Sequence, residues 1–382
     1  MRRTLFTQTH DDFRLLVRDF LAREVVPVYE EWRNAGLVPR DLFTALGKLG
    51  IIGTAIPEEH GGGGQDDYRY NVVIQEECAR AVVTLGGLRT HLDVVVPYFT
   101  GLANDEQRAR WFPGLASGEL YTAIAMSEPG AGSDLAGIAT TAVRDGDDYV
   151  LNGAKTFITG GYHADLVIVV ARTATDPDNR RGGLSLLVVE KGMPGFTVGR
   201  KLDKLGLTTQ DTVELSFADV RVPAANLLGA EGTAFSLLGR NLAQERLAIA
   251  VGAVAQTRTA IDLTVSYVRD RMVFGKPVAH FQNTKFELAG MSAELEAAQA
   301  MLDAAITARV AGELSPVDAA RTKLFCTEVQ GRAVDRCLQL HGGYGYILEY
   351  PIARLYADAR VTRIYGGTSE VMKTIISKSL GL

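Results

Sequence analysis

Hydrophobic positions change their spacing twice along the chain. From Thr9 to about Gly118 they recur at intervals of three and four. The stretch "DDFRLLVRDFLAREVVPVYEEW" sets Phe13, Leu16, Val17, Phe20, Leu21 and Val25 on one helical stripe. Pro27, Gly50 and the turn in "EEHGGGG" punctuate this helical segment. From about Leu120 to Leu228 the apolar stretches shorten. "DDYVLNGAKTFIT", "ADLVIVVART", "GLSLLVVEK" and "DTVELSFADVRVP" are rich in Val, Ile and Thr and are bounded by Gly, Pro, Asp or Asn, the composition of strands. No long helical pattern separates them, so the sheet is expected to be mainly antiparallel rather than doubly wound. "RTATDPDNRRGG" reads as an exposed hairpin loop.

From Glu231 onward the helical period returns. The residues from Gly232 to Arg271 predict a single helix of roughly forty residues, and two further long helices follow. Ser315-Pro316 is a helix start, with a capping hydroxyl before a proline at the first turn. Long helices with short connections predict an antiparallel bundle. The expected fold class is therefore α+β. It has an N-terminal α-helical domain over 1–119, a middle antiparallel β domain over 120–229 and a C-terminal four-helix-bundle-like domain over 230–382.

Composition narrows the function classes. The 382 residues are 47% hydrophobic and 22% charged, ordinary for a globular chain, and the net charge is -5. No Lys/Arg run marks a nucleic-acid or polybasic membrane surface. The N-terminal "MRRTLFTQTHDDF" lacks an apolar leader core, and no charge-free stretch of about 18 apolar residues predicts a membrane span. Cys78, Cys326 and Cys337 have no CxxC spacing, so they are expected as small buried hydrophobes in a reducing, cytoplasmic setting. Cys326 and Cys337 lie about three helical turns apart and are expected on one face. Six histidines form no HxH or HExxH pattern, so no metal site is expected.

The candidate chemistry starts with "MSEPGAGSD", Met126 to Asp134, at the change from helix to strand. Gly130 and Gly132 permit close backbone approach and Ser127 and Ser133 offer hydroxyls, but the segment does not complete GxGxxG. Taken alone it is a turn. "KTFITGG" places Phe157 and Thr159 two apart at a strand end, on the same side, which suits a flat ligand needing one polar contact or ordinary sheet packing. Glu245, in "RNLAQERLAIA", shares its helical face with Leu238, Leu242, Ile249 and Gly252. Arg246 projects about 100° away. Glu245 is either a desolvated acid with a raised pKa or half of a structural ion pair.

Together, and in this order, these segments resemble the acyl-CoA dehydrogenase family of flavoenzymes over nearly the whole chain. "PEEHGGGG", "AMSEPGAGSDLAG", "LNGAKTFITGG", "RDRMVFGKPVAHFQ" and "QLHGGYGYILEYPIARLYADARVTRIYGGTSE" carry the resemblance. It implies FAD as cofactor. Ile124, Met126, Ser127, Gly132 and Ser133, with Phe157, Ile158 and Thr159, are the implied wall against its ring system. Arg271, Phe274 and Gln282 are implied contacts to the FAD of a neighbouring subunit. Gln339, Leu340, His341, Gly342 and Gly343 are an adenine-side loop across a dimer interface, and Thr368, Ser369 and Glu370 are further FAD contacts. Ser133, Arg246, Gly366 and Gly367 are implied to face the acyl-CoA. A homotetramer and an electron-transferring flavoprotein as electron acceptor follow from the same resemblance.

Many members of the family carry the catalytic glutamate where this chain has Gly366. A second group, resembling long-chain and isovaleryl-type members, supplies it from a helix at the position of Glu245. "AQERLAIA" fits that group, so the resemblance implies that Glu245 takes an α-proton while a β-hydride passes to flavin N5, giving a trans-2-enoyl thioester. In the family the thioester oxygen is met by a ribityl hydroxyl of FAD and by the backbone N–H at the position of Gly366, a donor that glycine keeps. A Glu245→Gly, Gly366→Glu exchange is expected to recover some activity. Phe157 stands where many relatives have Trp, and Val273 where Thr is frequent. The rival readings are a carrier-protein thioester as substrate, an oxygen-reactive oxidase or monooxygenase of the same fold, and a flavin-free binding module.

Overall fold

The computed structural model describes residues 3–175 and 178–382. Six helices form the N-terminal part: α1 (Gln8–Phe20), α2 (Tyr29–Ala35), α3 (Asp41–Lys48), α4 (Arg69–Arg80), α5 (Val96–Leu102) and α6 (Asp105–Ser117). Thr7 caps α1 in a reciprocal box with His10. Of the stripe expected on this helix, Val17, Phe20, Leu21 and Val25 are buried, whereas Leu16 is 39% exposed at its edge. Pro27 has no N–H to give, and α1 does not run on into α2. The chain passes instead through a π turn, Leu21–Val25, and a 3-10 turn, Val26–Val28. Gly118 ends α6 at φ +76, where a Cβ would lie 2.2 Å from the carbonyl oxygen of Phe43. Only glycine fits that close approach.

Seven strands follow: β1 (Thr122–Ala125), β2 (Thr141–Asp145), β3 (Asp148–Thr159), β4 (Leu166–Arg172), β5 (Leu184–Glu190), β6 (Phe196–Lys201) and β7 (Thr212–Pro223). They pair in the order β1-β4-β2-β3-β7-β6, with β5 added to β4. Most pairs are antiparallel, as expected, but β1 and β4 are parallel. The β2–β3 hairpin lies between them in sequence and gives the chain length enough to return in the same direction. β4 and β5 are buried on both faces. Ile168, Val170, Leu186 and Val188 pack toward Trp111, Phe112 and Leu115 of α6, while Val167, Val169, Leu187 and Val189 join Tyr149, Leu151 and Val213 inside the sheet. This double burial explains their uninterrupted apolar sequence. The β4–β5 connection is a hairpin loop, as expected; Asp176 and Pro177 of that loop lie outside the described residues.

The C-terminal part is built on α7 (Ala234–Asp270), α8 (Gln282–Val310) and α9 (Pro316–His341), with α10 (Pro351–Ala359) and α11 (Ser369–Ser379). A two-strand ribbon, β8 (Met272–Val273) and β9 (Lys276–Pro277), joins α7 to α8. α7 has 37 residues. Ser315 accepts from the amide of Asp318 at 3.0 Å and starts α9 with Pro316, as its sequence predicts. The bundle core takes residues from all three long helices, from α10 and from α4. Cys326 and Cys337 are buried in it as free thiols, and burial pushes them up to about 12 and about 11. Among the described residues no helix is long and apolar enough to cross a membrane, and no His/Cys/Asp/Glu group could hold a metal.

Candidate active site

A cleft of about 730 Å³ opens where three parts of the chain meet: the loop after β1, the first half of α7 and the turn before α11. Met126, Ser127, Gly132, Ser133, Glu245, Arg246, Gly366 and Gly367, all singled out from sequence, line it together. Phe235, Leu242 and Val371 add apolar wall, and Asn179 to Arg181 of the β4–β5 hairpin close one side. Arg180 bridges to Asp134 at 3.0 Å across this rim.

The loop is fastened from beneath by a buried ion pair. Lys155 on β3 donates to Glu128 at 2.8 Å and to the carbonyl of Met126 at 3.1 Å. Glu128 also accepts from the amides of Ala139 and Thr140, and the amide of Thr156 donates to the carbonyl of Ser127. Burial would raise the Glu128 carboxyl, but Lys155 and these amides hold it below the usual range. Burial lowers the Lys155 amine to about 8 against the pull of Glu128. The pair is thus charged at neutral pH, and its partners fix the path of the glycine-rich loop.

Glu245 projects from α7 toward the turn at Gly366. A Cβ at Gly366 would lie 3.3 Å from its Oε1 and 2.4 Å from Cδ1 of Ile249. The carboxyl therefore reaches the space that a side chain at 366 would take. A side chain at 366 would also meet Cδ1 of Ile249, the far end of a flexible side chain, so the Glu245→Gly, Gly366→Glu exchange needs Ile249 to shift. Burial raises the Glu245 pKa, opposed first by Arg89, then by Arg246 and Lys323. The acid is partly buried at the cleft wall and its pKa is raised, the direction one sequence reading had, but it is not alone. Its countercharges come from three separate elements, and Arg246 lines the same cleft despite its angular offset on the helix. Arg89 stacks over the ring of Tyr365 at 5.0 Å. Asp93, one turn further along, accepts from Asn71 and Gln75, and burial pushes it up to about 6.

The remaining sequence candidates lie outside the cleft lining. Ile124 is buried in β1 behind the loop, and Ile158 in the sheet. Phe157 occupies an irregularity in the β3–β7 register at φ +60 and is 69% exposed. Thr159 lies 3.5 Å from the side-chain nitrogen of Gln210. Arg271, Phe274, Gln282, Gln339, Gly342 and Gly343 form an exposed group at the other end of α7, where Arg271 stacks on Tyr344 at 5.3 Å. His341 is buried, stacked on Tyr267 and bonded to the carbonyl of Cys337, and Leu340 packs on the bundle core. Thr368 caps α11, Ser369 donates to Glu328 at 2.8 Å, and Glu370 is exposed.

These features fit FAD. Phe157 offers an exposed flat ring directly beside a loop whose Gly132 and Ser133 amides donate to no acceptor among the described residues. A Cβ at Gly130, Gly132, Gly342 or Gly343 would meet nothing within 4 Å, so each of these backbones is open to a ligand. Sequence reasoning missed Arg89, Lys323 and the Glu128–Lys155 pair. The available signal was a charged residue inside an apolar run, as in "LGGLRTHLDVVVPYF" and "RTKLFC".

Three family models match the chain: the N-terminal domain of acyl-CoA dehydrogenase at residues 7–119, the middle domain at 123–220 and the C-terminal domain at 232–381. The chain is 44% identical over 378 residues to the long-chain specific mitochondrial acyl-CoA dehydrogenase of Sus scrofa, covering 99% of this chain and 88% of that one. It is 40% identical over 375 residues to an acyl-CoA dehydrogenase of Bacillus subtilis, covering 98% of each. The crystal structure of acyl-CoA dehydrogenase from Geobacillus kaustophilus superposes with a TM-score of 0.98 at 45% identity over 100% of both chains. The chain belongs to the acyl-CoA dehydrogenase family and is a flavin-dependent oxidoreductase acting on acyl-CoA.

Proposed function

We propose that this protein dehydrogenates a saturated acyl-CoA at its α and β carbons, and that Glu245 is the base that takes the α-proton. The observation that carries this reading is the carboxyl of Glu245 beside the bare turn at Gly366, inside a cleft shared with the Met126–Ser133 loop. An α C–H next to a thioester is a weak acid, so its base must sit in reach and be poised near operating pH. Burial of Glu245 raises its proton affinity, while Arg89, Arg246 and Lys323 keep it from being lost as a base. When bound, FAD supplies the two-electron acceptor for the β-hydride.

The chain's own residues do the rest. Leu242, Phe235 and Val371 make the cleft apolar beside the reacting carbons and exclude water. The N–H of Gly366 donates to no acceptor within the protein among the described residues. It is the donor for charge that develops on the thioester oxygen. Ser133, with its hydroxyl at the rim, meets the acyl-CoA, and Phe157 backs the FAD ring. The exposed group of Arg271, Phe274, Gln282, Gln339, Gly342 and Gly343 completes the cofactor site of another copy in a homotetramer. Phe274, 95% exposed at φ +50, supports that reading, because a strained apolar side chain in water is costly without a partner. An electron-transferring flavoprotein takes up the electrons.

The test is anaerobic flavin reduction by acyl-CoAs from butyryl to palmitoyl, with the parent and with Glu245→Gln. The variant is expected to keep its FAD and lose reduction. Reduction at the parent rate would overturn the assignment of Glu245.

A further inference from the structure

Lys323 has no role in the reading above except as a distant charge, yet its surroundings are unusual. It projects from the first third of α9 and is 1% exposed. Among the described residues it forms no ion pair with a carboxylate. Its ammonium donates to two carbonyls, that of Tyr365 at 2.6 Å and that of Gly367, which flank Gly366. A buried ammonium without a paired carboxylate is expensive. An apolar side chain could pack α9 against this turn without that cost.

The consequence follows from peptide geometry. No peptide bond in the described chain is cis. In a trans peptide the C=O and the following N–H point in opposite directions. A donor that holds the Tyr365 carbonyl therefore turns the Gly366 N–H away from itself. The second bond, to Gly367, holds the far side of the same turn, so Gly366 cannot rotate freely at φ +61. We infer that Lys323 is a positioning residue: by gripping the two carbonyls around Gly366 it aims the Gly366 N–H at the thioester oxygen. The inference rests on the proposed role of that N–H. Lys323 also contributes a charge. The groups facing Glu245 are Arg89 and Tyr98 from the N-terminal part, Arg246 from α7 and Lys323 from α9. Burial lowers the Lys323 amine to about 8, with Glu245 pulling the other way.

The experiment uses the FAD-loaded protein and the acyl-CoA that reduces the parent fastest, labelled at its carbonyl carbon. Infrared difference spectra report how strongly the bound carbonyl is polarised. In Glu245→Gln the polarised, red-shifted band is expected to remain, because that variant removes the base and keeps the donor. In Lys323→Met the band is expected to move back toward its position in water. In the same variant kcat should fall on the order of 10²-fold with KM little changed, the mark of an interaction made in the transition state. The acid limb of the rate profile should also move to higher pH, because one cation opposing the proton on Glu245 is gone. Lys323→Gln, a milder change that retains one amide donor, should show the same directions with smaller size and serves if the methionine variant does not fold. Lys323 variants with the parent band position and parent kcat would overturn the inference while leaving the role of Glu245 standing. Turnover by Glu245→Gln would instead overturn the proposed function.

Discussion

The two ends of α7 handle their special residues in opposite ways. Near its start, Glu245 and Arg246 are drawn inward among Arg89 and Lys323, and the carbonyls of the facing turn are taken up within the chain. Just past its end, Phe274 is 95% exposed and Tyr346 88% exposed, with glycines that touch nothing. The first region draws its opposing charges from a single chain. The other has side chains suited to a contact that the single chain does not supply. Charge can be desolvated only where its partners are fixed, so the chemistry is expected to be intramolecular. Exposed aromatic surface is suited to being covered, so the cofactor site is expected to depend on a second copy.

The contrast can be broken most sharply at Glu245. Glu245→Gln should slow flavin reduction by about 10³-fold, the size of a lost general base, without loss of FAD. Stopped-flow absorbance under anaerobic conditions measures it. Gly366→Ala should come next. Its φ of +61 costs a Cβ-bearing residue about 1–2 kcal/mol, and the new methyl would press on Ile249 and the Glu245 carboxyl. A rate loss on the order of tenfold is expected. The reciprocal Glu245→Gly, Gly366→Glu exchange should recover some activity, and more when Ile249→Ala relieves the contact with Cδ1 of Ile249, as turnover of the double and triple variants will show.

A third prediction concerns pH. Glu245 acts as a base only when ionised, and burial raises its pKa, so activity should appear as pH rises through that value. Arg89 is the largest opposing charge. Arg89→Met should therefore raise the Glu245 pKa further and move the acid limb of kcat to higher pH. A limb that moved down would show that the field around Glu245 is wrongly assigned. The smallest effect on stability is expected at the exposed end. Phe274→Ala should change the denaturation midpoint of the chain by an amount worth no more than about 0.5 kcal/mol. It should nevertheless weaken assembly and FAD retention, measured by sedimentation and by flavin released on dilution. If Phe274→Ala left both unchanged, the division between the two ends of α7 would be lost.

Most of the architecture was legible because periodicity reports burial. The three-and-four spacing after Gly232 became a 37-residue helix, and the β-branched runs became β3, β4, β5 and β7. The parallel β1–β4 pair was not legible, since strand direction depends on where the chain returns and short apolar runs carry no sign of it. At the site, Glu245 stood out because a carboxylate interrupts an apolar face. Arg89 and Lys323 interrupt apolar stretches in the same way, but their meaning depends on Tyr365 and Gly367, which are far away in sequence. Lys155 looked like one charged residue at the start of a strand-end motif. Only its bond to Glu128 makes it the fastening of the glycine-rich loop.

The length of α7 has a mechanical consequence. Glu245, in the first half of the helix, and Arg271, at its C-terminal cap, are held along one continuous rod, separated by roughly 39 Å at 1.5 Å per residue. A tilt of about 2° at one end displaces the other by more than an ångström, and a misplacement of about that size can cost a catalytic group about 10²-fold. Seating of the distal end against a neighbour would therefore set the alignment of the acid, making quaternary contact a lever on turnover without any residue crossing between the two places.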